Sequence, residues 1–430
     1  MARDFGETLY DVLTGDEEGR ACRDIPDRAC RHRARNFFLH VASLTLTKAG
    51  DGLADAKLVL PWLLAAVGAP ATTIGLLVPV REALALLPQL AISARIRALA
   101  VRKTVWATAG LAQGACVVAM AAAVTVLEGA STGWSVVALV ALFALARSAA
   151  SVSQKDVLAK TVDKRRRGTA TGYAGAVSAA VVLAFGAGLA LGVIPLTVPV
   201  VAAVVALAGL GWLAAGLLFL LLVEEPGATE GGANGLDAMA GELRLLARDG
   251  ELRRFIAARG LAIGTALAPP FLLARTGAAG GGDLGELGLF VLAAAVATLV
   301  SSPVWGRVAD WSSRRVLVVA TLAGAAALAL AALAPPALLP AVLVLLLVAH
   351  QGLRLGRKTH LVDMAPRDDR AAYTAIANTA AGVLLLAGGG FGWLAAATGP
   401  AVVLAVMAAM ALAAAAVAAG LREAQVPAAG

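Results

Sequence analysis

Apolar runs of about twenty residues recur along the chain, separated by short polar stretches; Ala401 to Ala419 is one, and Trp134 to Ala146, continuing into the next turns, is another. A bilayer core about 30 Å thick takes about 20 helical residues to cross. The runs therefore predict membrane spans rather than an oversized soluble core. Twelve spans are expected, at about 37–66, 72–97, 103–127, 134–161, 168–193, 196–223, 253–275, 284–308, 314–333, 338–364, 371–395 and 398–421. Residues 1–35 are polar and end in the basic cluster Arg28, Arg31, Arg33 and Arg35. They read as a lead-in, with room for a helix lying on the membrane surface. The stretch 224–252, with Pro226, Gly227 and Gly231–Gly232, reads as a linker between six-helix bundles at 36–223 and 253–422, and 423–430 as a tail. The expected fold class is an all-α membrane protein of about twelve transmembrane helices in two pseudo-symmetric six-helix bundles.

Composition agrees with this picture. The 430 residues are 60% hydrophobic and only 15% charged, against roughly 25% charged in soluble domains. Mean hydropathy is +0.81. A net charge of +8 would suggest nucleic acid in a soluble protein. Here the basic residues alternate by loop. Arg95, Arg102 and Lys103, Lys164 to Arg167, Arg244 to Arg254, Arg314 and Arg315, and Arg367 and Arg370 follow the even-numbered spans, whereas Arg275 is the one clear cation after an odd one. Cytoplasmic loops of membrane proteins carry the excess of Lys and Arg, so both termini are expected in the cytoplasm of a multi-pass protein of the inner membrane, with no nucleic-acid partner. No cleavable signal is expected, since residues 1–35 hold no apolar stretch. Cys22, Cys30 and His32 match no common zinc spacing, and Cys116 reads as a small apolar residue within a helix.

The halves repeat in sequence. Pro61-Trp62-Leu63-Leu64-Ala65 corresponds to Pro270-Phe271-Leu272-Leu273-Ala274, Pro88 to Pro303, and Arg102-Lys103 to Arg314-Arg315. Lys155 to Arg167 aligns without a gap onto Lys358 to Arg370. Two parallel six-helix halves put a binding site at their interface near the midplane.

The most specific stretch runs from Gly306 through Arg307, Asp310 and Trp311 to Arg314-Arg315. It resembles the signature turn of the major facilitator superfamily, in which a glycine, an acid four residues on and a closing basic pair join two spans. The family's first copy of this turn is degenerate here: Ser93 to Lys103 keeps the basic pair but lacks the acid. The resemblance covers roughly 37–421 and implies the family's fold and secondary transport, with Gly306, Asp310, Arg314 and Arg315 as a cytoplasmic gate loop. Span 5 lacks the Gly-Pro signature of the drug-antiporter branch.

Charges near the bilayer centre are costly and usually face a cavity. Lys48, Asp51 and Asp55 share one helix face by their spacing in span 1, while Lys57 is expected to point elsewhere, nearer the outer half. Arg81 and Glu82 sit near the middle of span 2, Arg147 of span 4 and His350 of span 10, and Arg354 follows His350. Arg147 and His350 are repeat partners. Asn378 in span 11 either faces the cavity or bonds to a neighbouring helix. Arg357 and Lys358 are expected to reach the cytoplasmic interface, and Trp62, Trp106 and Trp134 to form an aromatic belt. The competing reading of Asp51 and Asp55 is a pair with Arg81 or Arg147 that only holds helices together.

This pattern suits a cavity for a small anionic or zwitterionic solute, with a proton carried by Asp51, Asp55 or His350. No catalytic constellation, metal cluster or nucleotide-binding loop is visible, so no enzyme activity and no cofactor is expected, and transport would draw on a gradient. The expected partners are a small-molecule solute, protons and the lipid bilayer, with one chain working as a monomer. The alternative is a non-transporting assembly factor or scaffold of the same fold.

Overall fold

The computed structural model describes residues 5–14, 30–227, 229, 245–277, 286–309, 312–366 and 370–423. Among these residues every regular element is helical. A short helix, Phe5–Thr14, precedes twelve spans. Span 1 is Arg33–Leu53 followed by Val59–Ala66, and span 2 is Ala71–Leu86 followed by Gln89–Arg97. Spans 3 to 6 are Lys103–Val126, Gly129–Thr161, Arg167–Ala190 and Val198–Leu220. Span 7 is built from Gly250–Leu261, Gly264–Leu267 and Pro269–Arg275. Spans 8 and 9 are Glu286–Ala309 and Ser313–Leu333, and span 10 is Leu339–Met364. Span 11 is Arg370–Gly388 with Gly390–Thr398, and span 12 is Pro400–Ala419. Among the described residues, nine helices, several joined from neighbouring pieces, are long and apolar enough to cross a membrane by length and composition.

The interruptions have local causes. Pro88 and Pro269 each lack the N–H that would continue the helical ladder. Span 1 breaks over Ala54–Leu58, where the Asp55 carboxylate accepts the backbone N–H groups of Lys57 (2.8 Å) and Leu58 (3.0 Å). Aspartate closes such a turn by taking the donors the helix leaves free. Span 1 is therefore not one continuous helix, and the single helical face expected for Lys48, Asp51 and Asp55 ends before Asp55.

Spans 1 to 6 and 7 to 12 pack as two bundles that meet mainly through span 5 against span 8 and span 2 against span 11. With twelve spans, the N-terminal helix and the residues after span 12 lie at one end, called here the terminal end. At the opposite end the halves touch backbone to backbone. A Cβ on Gly75 of span 2 would stand 2.5 Å from the Cα of Gly392 in span 11, and one on Gly288 of span 8 would stand 2.8 Å from the Cα of Ala190 in span 5. Only glycine permits that approach. Toward the terminal end of span 5, a Cβ on Gly168 or Gly172 would meet nothing within 4 Å.

Both halves use an acid just past their last span to clamp the start of their third. Glu224, after span 6, accepts the backbone N–H of Arg102 (3.0 Å) and of Lys103 (2.7 Å) and pairs with Lys160 at 3.2 Å. Lys103 in return donates to the carbonyls of Leu220 (2.9 Å) and Leu222 (2.6 Å). In the other half Glu423, after span 12, accepts from the Ser312 hydroxyl at 2.6 Å and faces Arg314 at 3.5 Å. Helix N-termini favour acids and C-termini bases, so each clamp also suits the helix dipoles.

Asp249 caps the start of span 7, accepting from Glu251 and Leu252 N–H, and takes the Tyr373 hydroxyl from span 11. Burial would push its carboxyl up, but the Tyr373 hydroxyl, those two amides and Arg253 outweigh this and hold it below the usual carboxylate range.

One expectation about the aromatic residues is corrected. Trp106 is buried and stacked on Phe219 with ring centroids 3.9 Å apart, and Trp62 is also buried. Trp106 fills the space between spans 3 and 6, and Trp62 is enclosed in the core around the second segment of span 1. Trp134 does stand half exposed, as a belt residue would. The N-terminal helix docks on the bundle. Tyr10 is buried edge-on against Phe37 at 5.3 Å, Arg33 stacks over it, and the carbonyl of Thr14 accepts from Arg166.

Candidate functional site

A cavity of about 840 Å³ occupies the middle of the bundle between the halves and extends toward the terminal end. Spans 1, 2, 4 and 5 wall it from one side and spans 7, 8, 10 and 11 from the other. Seven basic side chains line it against three acidic ones. The volume falls in the usual range for small-molecule sites, about 300–1,000 Å³.

The centre of the N-terminal wall is Asp51. Its Oδ1 accepts from Arg81 Nη2 and from Arg147 Nη1, both at 2.8 Å, and its Oδ2 lies 2.6 Å from Arg147 Nη2. One carboxylate thus joins spans 1, 2 and 4, with a two-point contact to Arg147. Such charge-assisted forks are among the stronger and more directional hydrogen bonds. Arg81 also donates to Glu82 Oε1 at 3.2 Å and lies over the Phe143 ring at 5.8 Å. Lys48 Nζ donates to the carbonyl of Thr171 in span 5 at 3.2 Å. Asp55 borders the same cavity while its Oδ1 closes the turn in span 1.

The C-terminal wall differs in character. It contributes Arg259, Arg354, Arg357 and His350, and no acidic side chain of that half lines the cavity among the described residues. His350 Nδ1 sits 3.0 Å from the Thr265 hydroxyl. Arg259 donates to the Ala377 carbonyl at 2.8 Å and to Asn378 Oδ1 at 3.2 Å. Asn378 therefore serves span 7 from span 11 and does not itself border the cavity.

Lys48, Asp51, Asp55, Arg81, Glu82, Arg147, His350 and Arg354 all line this one space, as their mid-span positions suggest. Three lining residues run against or outside the sequence expectation. Lys57 borders the cavity because the break at Ala54–Leu58 redirects the chain. Arg357 borders it instead of reaching the interface, whereas Lys358 on the next position is exposed. Arg259 was hidden inside an apolar run, and a lone arginine seven residues into a span was the available signal.

For the gate loop, Asp310 lies outside the described residues, and Gly306 falls in the last turn of span 8. Arg314 donates to the Leu421 carbonyl at 3.2 Å, and Arg315 takes the Ser312 cap through its backbone N–H at 3.1 Å. Cys22 lies outside the described residues too, so the cysteine pair is not placed.

Among the described residues, twelve spans pack as two bundles around a charged central cavity. Residues 255–430 match the family model of the Major Facilitator Superfamily. Across the whole chain, a mutant of the nucleoside transporter NupG superposes with a TM-score of 0.72 at 13% identity, covering 90% of this chain and 100% of that one. A D-xylose-proton symporter gives 0.69 at 13% identity, over 90% and 98%. The xylose transporter XylE from E. coli, in an inward-open conformation, gives 0.62 at 13%, over 90% and 96%. None of the curated proteins compared matches the chain in sequence. The family's sequence pattern is thus carried by residues 255–430, and the chain as a whole shares the fold of these transporters.

Proposed function

We propose that the protein is a secondary active transporter that moves a small organic solute across the cytoplasmic membrane by alternating access, coupled to protons through Asp51. The observation that carries this reading is the cavity itself, walled by both halves and lined by charges that a purely structural bundle has no need to keep at its centre. The backbone contacts at Gly75–Gly392 and Gly288–Ala190 seal the end opposite the termini. With the arginine-rich loops cytoplasmic, the conformation is inward-facing.

Asp51 suits coupling better than Asp55. A proton on Asp51 removes the charge that Arg81 and Arg147 both answer, and so loosens span 1 from spans 2 and 4. Asp55 is committed to the turn that ends the first segment of span 1.

The test is a thermal-unfolding screen of the detergent-purified chain against small metabolites, followed by uptake of the binders into proteoliposomes with and without an imposed pH gradient. The gradient is expected to accelerate uptake, and Asp51→Asn to abolish the acceleration while the protein still folds. Uptake indifferent to both would disprove proton coupling through Asp51. Binders that never cross the membrane would instead support the scaffold reading.

A further inference from the structure

We infer that the C-terminal wall of the cavity is the seat of an organic anion carrying two or more negative charges, held by Arg354 and Arg357 with Arg259 behind them. This rests on the reading of the cavity as a solute site and names the class of solute.

The two walls are electrostatically unequal. On the N-terminal side Asp51 answers Arg81 and Arg147, and Glu82 answers Arg81 again. On the C-terminal side three arginines border the cavity with no acid of their own half among the described residues. Arg354 and Arg357 are three residues apart on span 10, hence on one helix face. Neither makes a hydrogen bond or ion pair with any described residue, and Arg354 is exposed to the cavity. Arg259 and Arg354 both act electrostatically on Arg357, which therefore bears the repulsion of two like charges. Glu82, across the interface, is the acid that acts on both Arg354 and Arg357.

Arg259 is fixed rather than satisfied. Its Nη atoms donate to two neutral oxygens, while its Nε is buried without a partner. A guanidinium held in place with a donor to spare is a preorganised half of an oxyanion contact. Like charges gathered in a space of low dielectric raise the energy of the empty site, and a multiply charged anion relieves it. The remaining lining on that side includes Ile263, Val291, Ala294 and Leu385, which suits a body of a few carbons. The geometry thus fits a phosphate monoester or a dicarboxylate, whose shared chemistry is paired oxyanion charge.

The experiment is equilibrium binding to the detergent-purified full chain, read by calorimetry and thermal shift. The probes are glycerol phosphate, succinate, and the uncharged glycerol as reference. At least one anion is expected to bind at millimolar concentration or below and glycerol not to bind. Arg354→Gln together with Arg357→Gln is expected to weaken the anion at least about tenfold, as loss of one charge-assisted contact does. Lys358→Gln, exposed and outside the lining, is expected to leave binding unchanged. If the double variant does not fold, Arg354→Gln alone carries the test, and Arg357→Lys, which keeps charge but not the fork, is expected to restore part of the affinity.

No binding of either anion overturns the proposal, as does binding equal to glycerol's or undiminished in the variants. Stronger binding of glycerol phosphate than of succinate identifies a phosphate ester, and the reverse a dicarboxylate, each upholding the seat. Anion binding without flux in proteoliposomes would refute transport and leave the seat standing. Flux of neutral solutes only would refute the seat and leave transport standing.

Discussion

Gly288→Ala is expected to expose the cavity from the sealed side. The added Cβ would stand 2.8 Å from the Ala190 Cα and equally near the Leu189 carbonyl carbon. Both obstacles are backbone, so no rotamer change relieves the clash. Overpacking of this kind costs about 1–3 kcal/mol. The strain vanishes when span 8 separates from span 5, so it biases the equilibrium between sealed and unsealed states about 5- to 150-fold. A single cysteine at Ser178, which lines the cavity, reports on this in a background with the three native cysteines replaced. Its labelling by a membrane-impermeant maleimide applied at the sealed face should accelerate by that factor in Gly288→Ala. Gly172→Ala, where a Cβ meets nothing within 4 Å, should leave the rate alone. Equal rates in all three proteins would mean that the glycine contact is not the seal.

Glu224→Ala is expected to be the most destabilising single change in the N-terminal half. Its carboxylate is fully enclosed, and it holds two backbone N–H groups at the start of span 3 together with Lys160. Removing one partner of a buried ionic contact costs about 3–5 kcal/mol, because the donors lose both charge and hydrogen bond. Glu224→Gln keeps one acceptor and should cost about half as much. Thermal unfolding in detergent gives the ranking, with the exposed Glu128→Ala as reference. A Glu224→Ala protein as stable as that reference would show the clamp to be ornamental.

The fold was legible because a bilayer imposes one length and one polarity on each span, and loop charge marks the turns between them. Local backbone chemistry was harder to read. Gly50 and Gly52 suit either a close helix approach or a bend in span 1; the helix runs through both, with Trp212 and Val182 packed against them, and breaks only afterwards, where Asp55 takes the N–H groups of Lys57 and Leu58. An aspartate two residues before a lysine in an apolar run is a weak turn signal, and helical spacing overrode it. That one break explains why Lys57 was assigned away from the cavity it borders.

Within the site, mid-span position was enough to gather most of the lining. It could not say which charges answer each other, since the junction of Asp51 with Arg81 and Arg147 depends on how three helices approach. Position also misjudged Arg357, whose long side chain can reach either water or cavity. The internal repeat matched Arg147 with His350, and both line the cavity. The equivalence of Glu224 and Glu423 escaped it, because each acid stands just beyond its bundle, in what reads as linker or tail.

The surplus of positive charge in the cavity has a consequence for membrane voltage. One elementary charge moved through 100 mV gains or loses about 2.3 kcal/mol. In a carrier whose seal shifts from one side of the cavity to the other, the arginines stay in place but the field moves across them. On the proposed topology, with the arginine-rich loops on the negative side, an empty carrier is drawn toward the form sealed at the end opposite the termini. A bound dianion offsets that pull, so the unloaded step should depend on potential more steeply than the loaded one. Transient currents that are larger in solute-free than in solute-saturated membranes would display that difference, and equal currents would exclude it.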